Sequence, residues 1–491
     1  MMQYVRTNKA LILILAIGCI CFSSIAFLNH YFYRTFALDL GLYTHAMHEY
    51  AHGRMATTSM FLDESRLLLS DHFDLYLIIL SPFIYIFKGL TLIVLQIVAV
   101  LFGAVGVYRL VQWNKATTHL AWLGATVFLF SFGVFGAIAF EYHSNVLSVC
   151  FIPWWILSVL QERKFVSFLW LVVLWIGKEN FSFFLFFLCI SLAWNYRENK
   201  VARYIFLFSG LFSMMYFFML VKWLMPTLAG QSEFVHFGKY PALGGGMTDA
   251  LSFLIQHPIE FIKLFFVNHL PDYPELQFEK LFFYVVLIFA GGWAFLVRPM
   301  YILAIAPLLL QKMCSNQFTT WGTSYQYNIE FAPLLAFAVI DVVARIEQRW
   351  QLQKRRLWLS WFVVLMTLGS SMYAMVERTQ DYEKARVIFW QAKHFKKEYQ
   401  VKMVQEVMRK IPNTASVMAT SSFVPHLACR QKIYTFPLVK DAEYLLLSAK
   451  ESSYPLSFEE YEKFILSIYS SEQWDRVDQN DVVVLFKRRG S

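Results

Sequence analysis

Several charged and polar residues stand out in this sequence because long apolar stretches surround them. Asp39 lies in FALDLG, Asp71 and His72 in LLSDHFD, Glu141 and His143 in FEYHSN, and Lys178 and Glu179 in GKENFSFF. Tyr325, Gln326 and Tyr327 stand just before another apolar run. Carboxylates and imidazoles are the usual general acids and bases, worth about 10²–10⁴-fold in rate when positioned. A lysine ammonium or a histidine can stabilise a phosphate leaving group. Each residue also has a plainer alternative. Asp39 reads equally as a helix cap or a solvated loop residue, Glu141 and His143 as a solvated turn, and Lys178-Glu179 as a mutually paired couple. The Lys178-Glu179 pair carries the strongest signal. The apolar arms on either side of it are short for a membrane crossing, which sets the pair below the headgroup level. A charge near the bilayer centre costs on the order of 2.5–3.5 kcal/mol, and residues that bear that cost usually line a water-filled cavity.

His45, His48 and His52 fall at i, i+3 and i+7, one face of a helix, a spacing that permits a metal site. No carboxylate or cysteine completes a recognised ligand pattern, so an amphipathic helix at the headgroup level explains them better and no metal ligand is assigned. Of the six cysteines, Cys19, Cys21, Cys150 and Cys189 lie inside apolar runs. Neither a disulfide framework nor a CxxC metal spacing is present.

The elements that must position these residues are set by composition. The chain has 491 residues, 58% hydrophobic and only 16% charged, against about 25% charged for an ordinary soluble domain. A wholly soluble protein is excluded. Charge is also uneven, with 33 charged residues among the 115 after position 376 and 44 among the first 376. This predicts an all-α polytopic membrane domain over 1–376, with a first outer loop at about 29–89, and a soluble α/β domain over 377–491.

About 20 apolar residues cross a bilayer as a helix. Candidate spans are 10–28, 90–110, 117–138, 145–160, 165–177, 180–196, 202–224, 281–297, 299–313, 329–345 and 357–376, eleven in all. With the N-terminus in the cytoplasm, the inner segments carry fifteen basic residues, Arg6, Lys115, Lys354 and Arg355 among them, and three acidic ones. This satisfies the positive-inside rule and accounts for the net charge of +9 without a nucleic-acid partner. Residues 73–87 then form an in-plane or re-entrant helix, and all the chemistry-bearing residues above fall on the outer side. In the tail, a polar helical stretch (about 383–411) precedes strands in SVMATS, KIYTF, EYLLLS and DVVVLF. Ser457 with Glu460 forms a capping box for a helix to about 469.

The runs FALDLGLYTHAMHEYAHGR, LLSDHFDLYLIILSPFIYIF, FEYHSNVLSVCFIPWW, GKEN, YNIEFAPLLAF and VPHLACRQKIYTFP together resemble the DUF2079 family of predicted bacterial and archaeal membrane proteins. That family is grouped with the GT-C glycosyltransferases, which move sugar from a polyprenyl-phosphate or -diphosphate carrier to an acceptor on the outer membrane face. The resemblance implies a GT-C-like fold in a prokaryotic cytoplasmic membrane, a lipid-linked sugar donor, and an envelope glycan, lipid or protein as acceptor. It further implies Asp39 as catalytic base, since an Asp in the first outer loop has that role in GT-C enzymes. Lys178, His72 and His143 are then candidates to meet the lipid phosphate. Glu141 and Glu179 would orient them or bind a divalent cation, and Asp71, Gln326 and Tyr327 would contribute to substrate binding. Gln326-Tyr327-Asn328 departs from the His-containing motif expected there. Two rival functions share this pattern, a transporter or lipid-linked glycan binding protein, and a scaffold of an envelope-polysaccharide complex. A transporter would show related halves with broken helices at matching positions, and no such repeat is found.

Overall fold

The computed structural model describes residues 8–60, 66–114, 117–230, 238–244, 246–350, 356–377 and 386–490. Arg6, Lys115, Lys354 and Arg355, and the start of the expected helix at 383–385, lie outside them. The chain forms two compact units: Met1–Ser23 with Gln96–Glu383, and Ser24–Leu95 with Lys384–Ser491. The first long loop therefore clusters with the tail.

The first unit is helical. Five helices are long and apolar enough to cross a bilayer: Lys9–Tyr31, Ser81–Trp113, Lys200–Ala229, Pro274–Val297 and Leu357–Val376. A sixth is reached if Thr118–Leu129 and Phe132–Ala139, bent by 41° at Phe130-Ser131, count as one span. The other expected spans are also helices but shorter or more polar. Ser144–Leu160 and Glu179–Asn195 have 17 residues, Met300–Met313 has 14 and Lys164–Trp175 has 12. At 1.5 Å per residue the last is about 18 Å long, against a hydrocarbon core of about 30 Å. Phe331–Arg349 has 19 residues, and Asp341, Arg345, Glu347 and Arg349 in its second half keep it outside the apolar class. Chain breaks between the short helices therefore fall among packed side chains, and the buried Glu141, Lys178 and Glu179 sit at those breaks.

The second unit is built on a five-stranded sheet of order β2-β1-β3-β5-β4, with β1 Val417–Ala419, β2 Ile433–Thr435, β3 Tyr444–Leu447, β4 Trp474–Gln479 and β5 Val484–Arg488. β1 pairs parallel with β2 and β3, while β5 pairs antiparallel with β3 and β4. Met418, Leu445, Phe486, Tyr461 and Trp474 are among the residues of its core. The Ser457/Glu460 capping box is present and starts the helix Phe458–Ser470. Four strands coincide with the expected segments, and β4 is an addition. The expected helix over 383–411 is reduced to a short turn at Ala392–Phe395 and the helix Val401–Met408, which buries Val401, Val404 and Val407.

Residues 24–95 complete this unit. The Thr435 N–H of edge strand β2 donates to Met60 O at 2.8 Å, so the loop covers an edge that would otherwise be open. The stretch expected as one in-plane helix at 73–87 is a series of turns no longer than four residues, Tyr76–Ile79, Ser81–Phe83 and Ile84–Phe87.

Candidate functional site

In the first unit three helix breaks carry the polar residues. The first is Phe140–His143. Glu141 takes a positive φ of 78°, a left-handed conformation costing about 1–2 kcal/mol for a side chain with a Cβ. Gln96 holds it there: its Nε2 donates to Glu141 O at 2.7 Å while its Oε1 accepts the His143 N–H at 3.1 Å. Both Glu141 and His143 are buried, and the His143 ring stacks on Phe140 at 5.6 Å.

The second break is Ile176–Lys178. Lys178 is extended at the N-cap of Glu179–Asn195, and Glu179 stands in the first helical turn, where a carboxylate is favoured by the helix dipole. Both are buried. The third break is the long irregular segment between Met313 and Phe331, with Tyr325 at φ 63°. Lys312 braces it by donating to Thr320 O and, at 3.0 Å, to Gly322 O. Asn328 Nδ2 donates to Gly322 O and Ser324 O.

These breaks are tied together. Gly133 and Gly136 let the helix Phe132–Ala139 approach the third segment backbone to backbone: a Cβ at either would stand 2.0 Å from Asn328 O or 2.6 Å from Tyr325 O. Asn145, in the first helical turn after the first break, donates to the buried Glu330 carboxylate at 2.8 Å, and the positive charges of Lys312 and Lys178 both act on Glu330. Asn180 Nδ2 reaches Gln311 Oε1 at 3.5 Å. Asn145, Lys312 and Lys178 thus share one polar region with the buried Glu330. Gln326 Oε1, Asn145 Oδ1 and Asn328 Oδ1 are buried and make no hydrogen bond within the protein. Buried acceptors are normally paired, so this region keeps hydrogen-bonding capacity for water or a ligand.

Asp39, Asp71 and His72 lie in the second unit. Asp39 is half-buried on a π-helical turn, Ala37–Gly41, that runs into the helix Leu42–Ala51. The turn is fixed from the tail, because Ala37 N–H donates to Ser421 Oγ at 3.2 Å. His72 Nε2 stands 4.0 Å from Asp71 Oδ2, both partly exposed. The tail motif VPHLACRQ seats the loop. His426 stacks on His30 at 3.9 Å and reaches His30 O with Nε2 at 3.1 Å, and burial pushes its pKa well below the usual histidine range. Arg430 donates to Leu427 O, Ala415 O and Pro412 O, with its pKa lowered to about 10 by burial.

The three histidines of the first loop diverge. His45 is buried with Nδ1 at 3.3 Å from Ala428 O, while His48 and His52 pack on one another further out. Among the described residues no group of three or more His, Cys, Asp or Glu is placed to hold a metal ion, and no chemistry is routed through one.

Across residues 29–484, nearly the whole chain, the sequence matches the family model described as "Predicted membrane protein (DUF2079)". The chain belongs to the DUF2079 family. No curated protein matches it. Inside the stretch that makes this a DUF2079 protein, reading by residue type missed Gln96, Asn145, Lys312 and Glu330. The signal for Glu330 was present in YNIEFAPLLAF, where a lone carboxylate heads an apolar helix. Gln96 gave none, since an amide inside TLIVLQIVAVLF passes as a tolerated polar residue.

Proposed function

We propose that this DUF2079 protein is an integral-membrane glycosyltransferase of GT-C type, moving a sugar from a polyprenyl-phosphate-linked donor to an envelope acceptor on the outer face of a prokaryotic cytoplasmic membrane. In this reading the N-terminus is cytoplasmic, all eleven helical segments cross, and residues 377–491 are exported. The observation that carries it is Asp39. It is a half-exposed carboxylate on a turn directly after the first membrane helix, with the backbone of that turn tied to Ser421.

The reaction is a single displacement. The acceptor oxygen attacks the anomeric carbon, Asp39 takes the acceptor proton, and the bond to the phosphate oxygen breaks with its electron pair leaving on the carrier phosphate. Lys178, His143 and His72 are the groups proposed to stabilise that charge. Glu141 and Glu179 orient them, and Asp71, Gln326 and Tyr327 bind sugar or acceptor hydroxyls. The open acceptors on Gln326 and Asn145 support a polyhydroxylated ligand in the first unit.

Transfer of radiolabelled sugar from a membrane lipid fraction by the purified full chain tests this. Asp39→Asn keeps size and loses the proton acceptor, so turnover should fall about 10²-fold or more with carrier binding intact. Lys178→Ala should weaken carrier binding as well as rate, because the phosphate is charged in both ground and transition states. Full turnover by Asp39→Asn, or a wild type that binds carrier and transfers nothing, overturns the mechanism. The sidedness has its own test. In intact cells an impermeant thiol reagent should label a cysteine placed at 272 or 275, both exposed, and not one at 352.

A further inference from the structure

Two short helices, Met247–Gln256 and Pro258–Phe266, lie within a segment that reads from its sequence as an outer loop. We propose that this pair is seated in the lipid, lying along the plane of the membrane rather than standing in water. Their faces divide three ways. Ala250, Phe253, Phe261, Leu264 and Phe265 pack inward against Leu243, Leu310 and Cys314. Asp249, Gln256, Glu260 and Lys263 occupy a polar strip. The remaining face is apolar and open: Leu251, Leu254, Ile255, Ile259, Ile262 and Phe266 are exposed, Ile255 by 77% and Ile259 by 65%.

On a helical wheel at 100° per residue the open apolar residues of each helix fall within about 100° of arc, beside the polar strip. That is the pattern of an interfacial helix, whose apolar face sinks about 5–10 Å into the headgroup and acyl boundary. At ten and nine residues neither helix can cross.

A second observation points the same way. The carbonyls at the end of the second helix are the groups that would otherwise call for water. Lys280 Nζ donates to Leu264 O at 2.5 Å and to Val267 O at 3.0 Å, and Tyr284 Oη donates to Phe265 O at 3.2 Å. Both donors come from the apolar helix Pro274–Val297, and the Phe266 ring packs on Tyr284 at 5.2 Å. Internal satisfaction of backbone groups is what the bilayer demands. It also makes the open face of the pair continuous with the exposed side chains of that helix, Leu281, Val285 and Ile288.

The test uses the full chain in nanodiscs of phosphatidylcholine, with single fluorescent labels at 255, 262 or 260 in a cysteine-free background. Doxyl-labelled lipid should quench the probes at 255 and 262 at least about threefold more than the probe at 260, and aqueous iodide should show the reverse order. Equal iodide quenching at 255 and 260 overturns the proposal. If the cysteine-free chain fails to fold, a photoactivatable diazirine phospholipid added to the native chain gives the same decision. Labelled peptides from 251–266 are expected, and labelling confined to the spanning helices refutes it. The outcome is independent of whether the protein transfers sugar.

Discussion

Both compact units spend buried cations on backbone carbonyls, Lys280 and Lys312 doing so in the first, but they differ in what else they bury. In the second unit the buried cations are spent on backbone carbonyls: Arg34 donates to His394 O, Lys393 O and Lys396 O, and Arg430 to Leu427 O, Ala415 O and Pro412 O. Arg34 joins segments 360 residues apart, Arg430 ties together its own stretch of the tail, and both hold a fold. In the first unit, charges gather where helices break, around Glu330, and the amide oxygens of Gln326 and Asn145 are left open. A buried charge in an apolar body is costly, and open acceptors beside it add to the cost. The first unit therefore combines buried charge with open acceptors, and the second ties to the tail the turn that bears the half-buried Asp39.

The largest expected effect comes from removing the tail. Deleting 386–491 strips the loop 24–95 of Ser421, Ala428 and Thr435, so protease should cut within 24–95 about 10²-fold faster or more, a local loss of about 3 kcal/mol. Exchange protection of Ser144–Leu160 and Phe331–Arg349 should persist, because the Asn145–Glu330 hydrogen bond lies wholly within the first unit. Collapse of both together would erase the distinction. Next in size is Arg430→Ala. It leaves the carbonyls of the buried Leu427 and Ala415 without this donor and should destabilise the second unit by about 3 kcal/mol in denaturant unfolding. Arg430→Lys should recover only part, since an ammonium cannot reproduce the guanidinium fork.

A glycine sharpens the other side of the comparison. Gly133→Ala places a methyl 2.0 Å from the Asn328 carbonyl oxygen, and backbone cannot step aside as a side chain can. A cost of about 1–3 kcal/mol is expected, read as a lowered melting temperature together with loss of ligand-induced stabilisation. Gly18→Ala is the control. Its new methyl meets the Leu129 side-chain tip at 2.6 Å, which can rotate, so its effect should be smaller and confined to stability.

Much of this was legible in the sequence, and the misses have physical reasons. Asp39, Glu141 and Lys178-Glu179 were visible as charges in apolar surroundings, and the shortness of the arms beside Lys178 is matched by helices of 12 and 17 residues. Glu330 and Lys312 sit at helix ends, where a charge reads as an ordinary boundary. Strand β4, WDRVDQ, buries only Trp474 well, so an edge strand with solvated residues offers no alternation to detect. The seating of residues 24–95 on the tail was invisible because nothing local encodes a contact between His30 and His426. Only the shape of the folded unit brings those rings together.

The smallest predicted effect tests the scaffold role directly. His426 Nε2 meets His30 O, and a carbonyl can only accept, so Nε2 carries the proton and Nδ1 stays bare while the imidazole is neutral. The His30 and Tyr33 rings pack against it, and burial, then the nearby His30, holds its pKa far below 6.5. An unfolded chain would protonate this ring near pH 6.5. The sign follows from which state binds more protons. Above about pH 6.5 both states are neutral and the full stability is present, while below it the unfolded state gains a proton that the folded state refuses, and stability falls with pH. One such group costs about 1 kcal/mol by pH 6, with His45, also lowered by burial, adding in the same direction. Protease sensitivity of the loop 24–95 should therefore rise several-fold between pH 7.5 and 6 in the wild type. His426→Gln keeps a donor for His30 O and removes the titration, so its pH dependence should be shallower, even if it starts less stable. A profile as steep as wild type would mean that another group sets the pH response, and that the stacked pair is not what seats the loop.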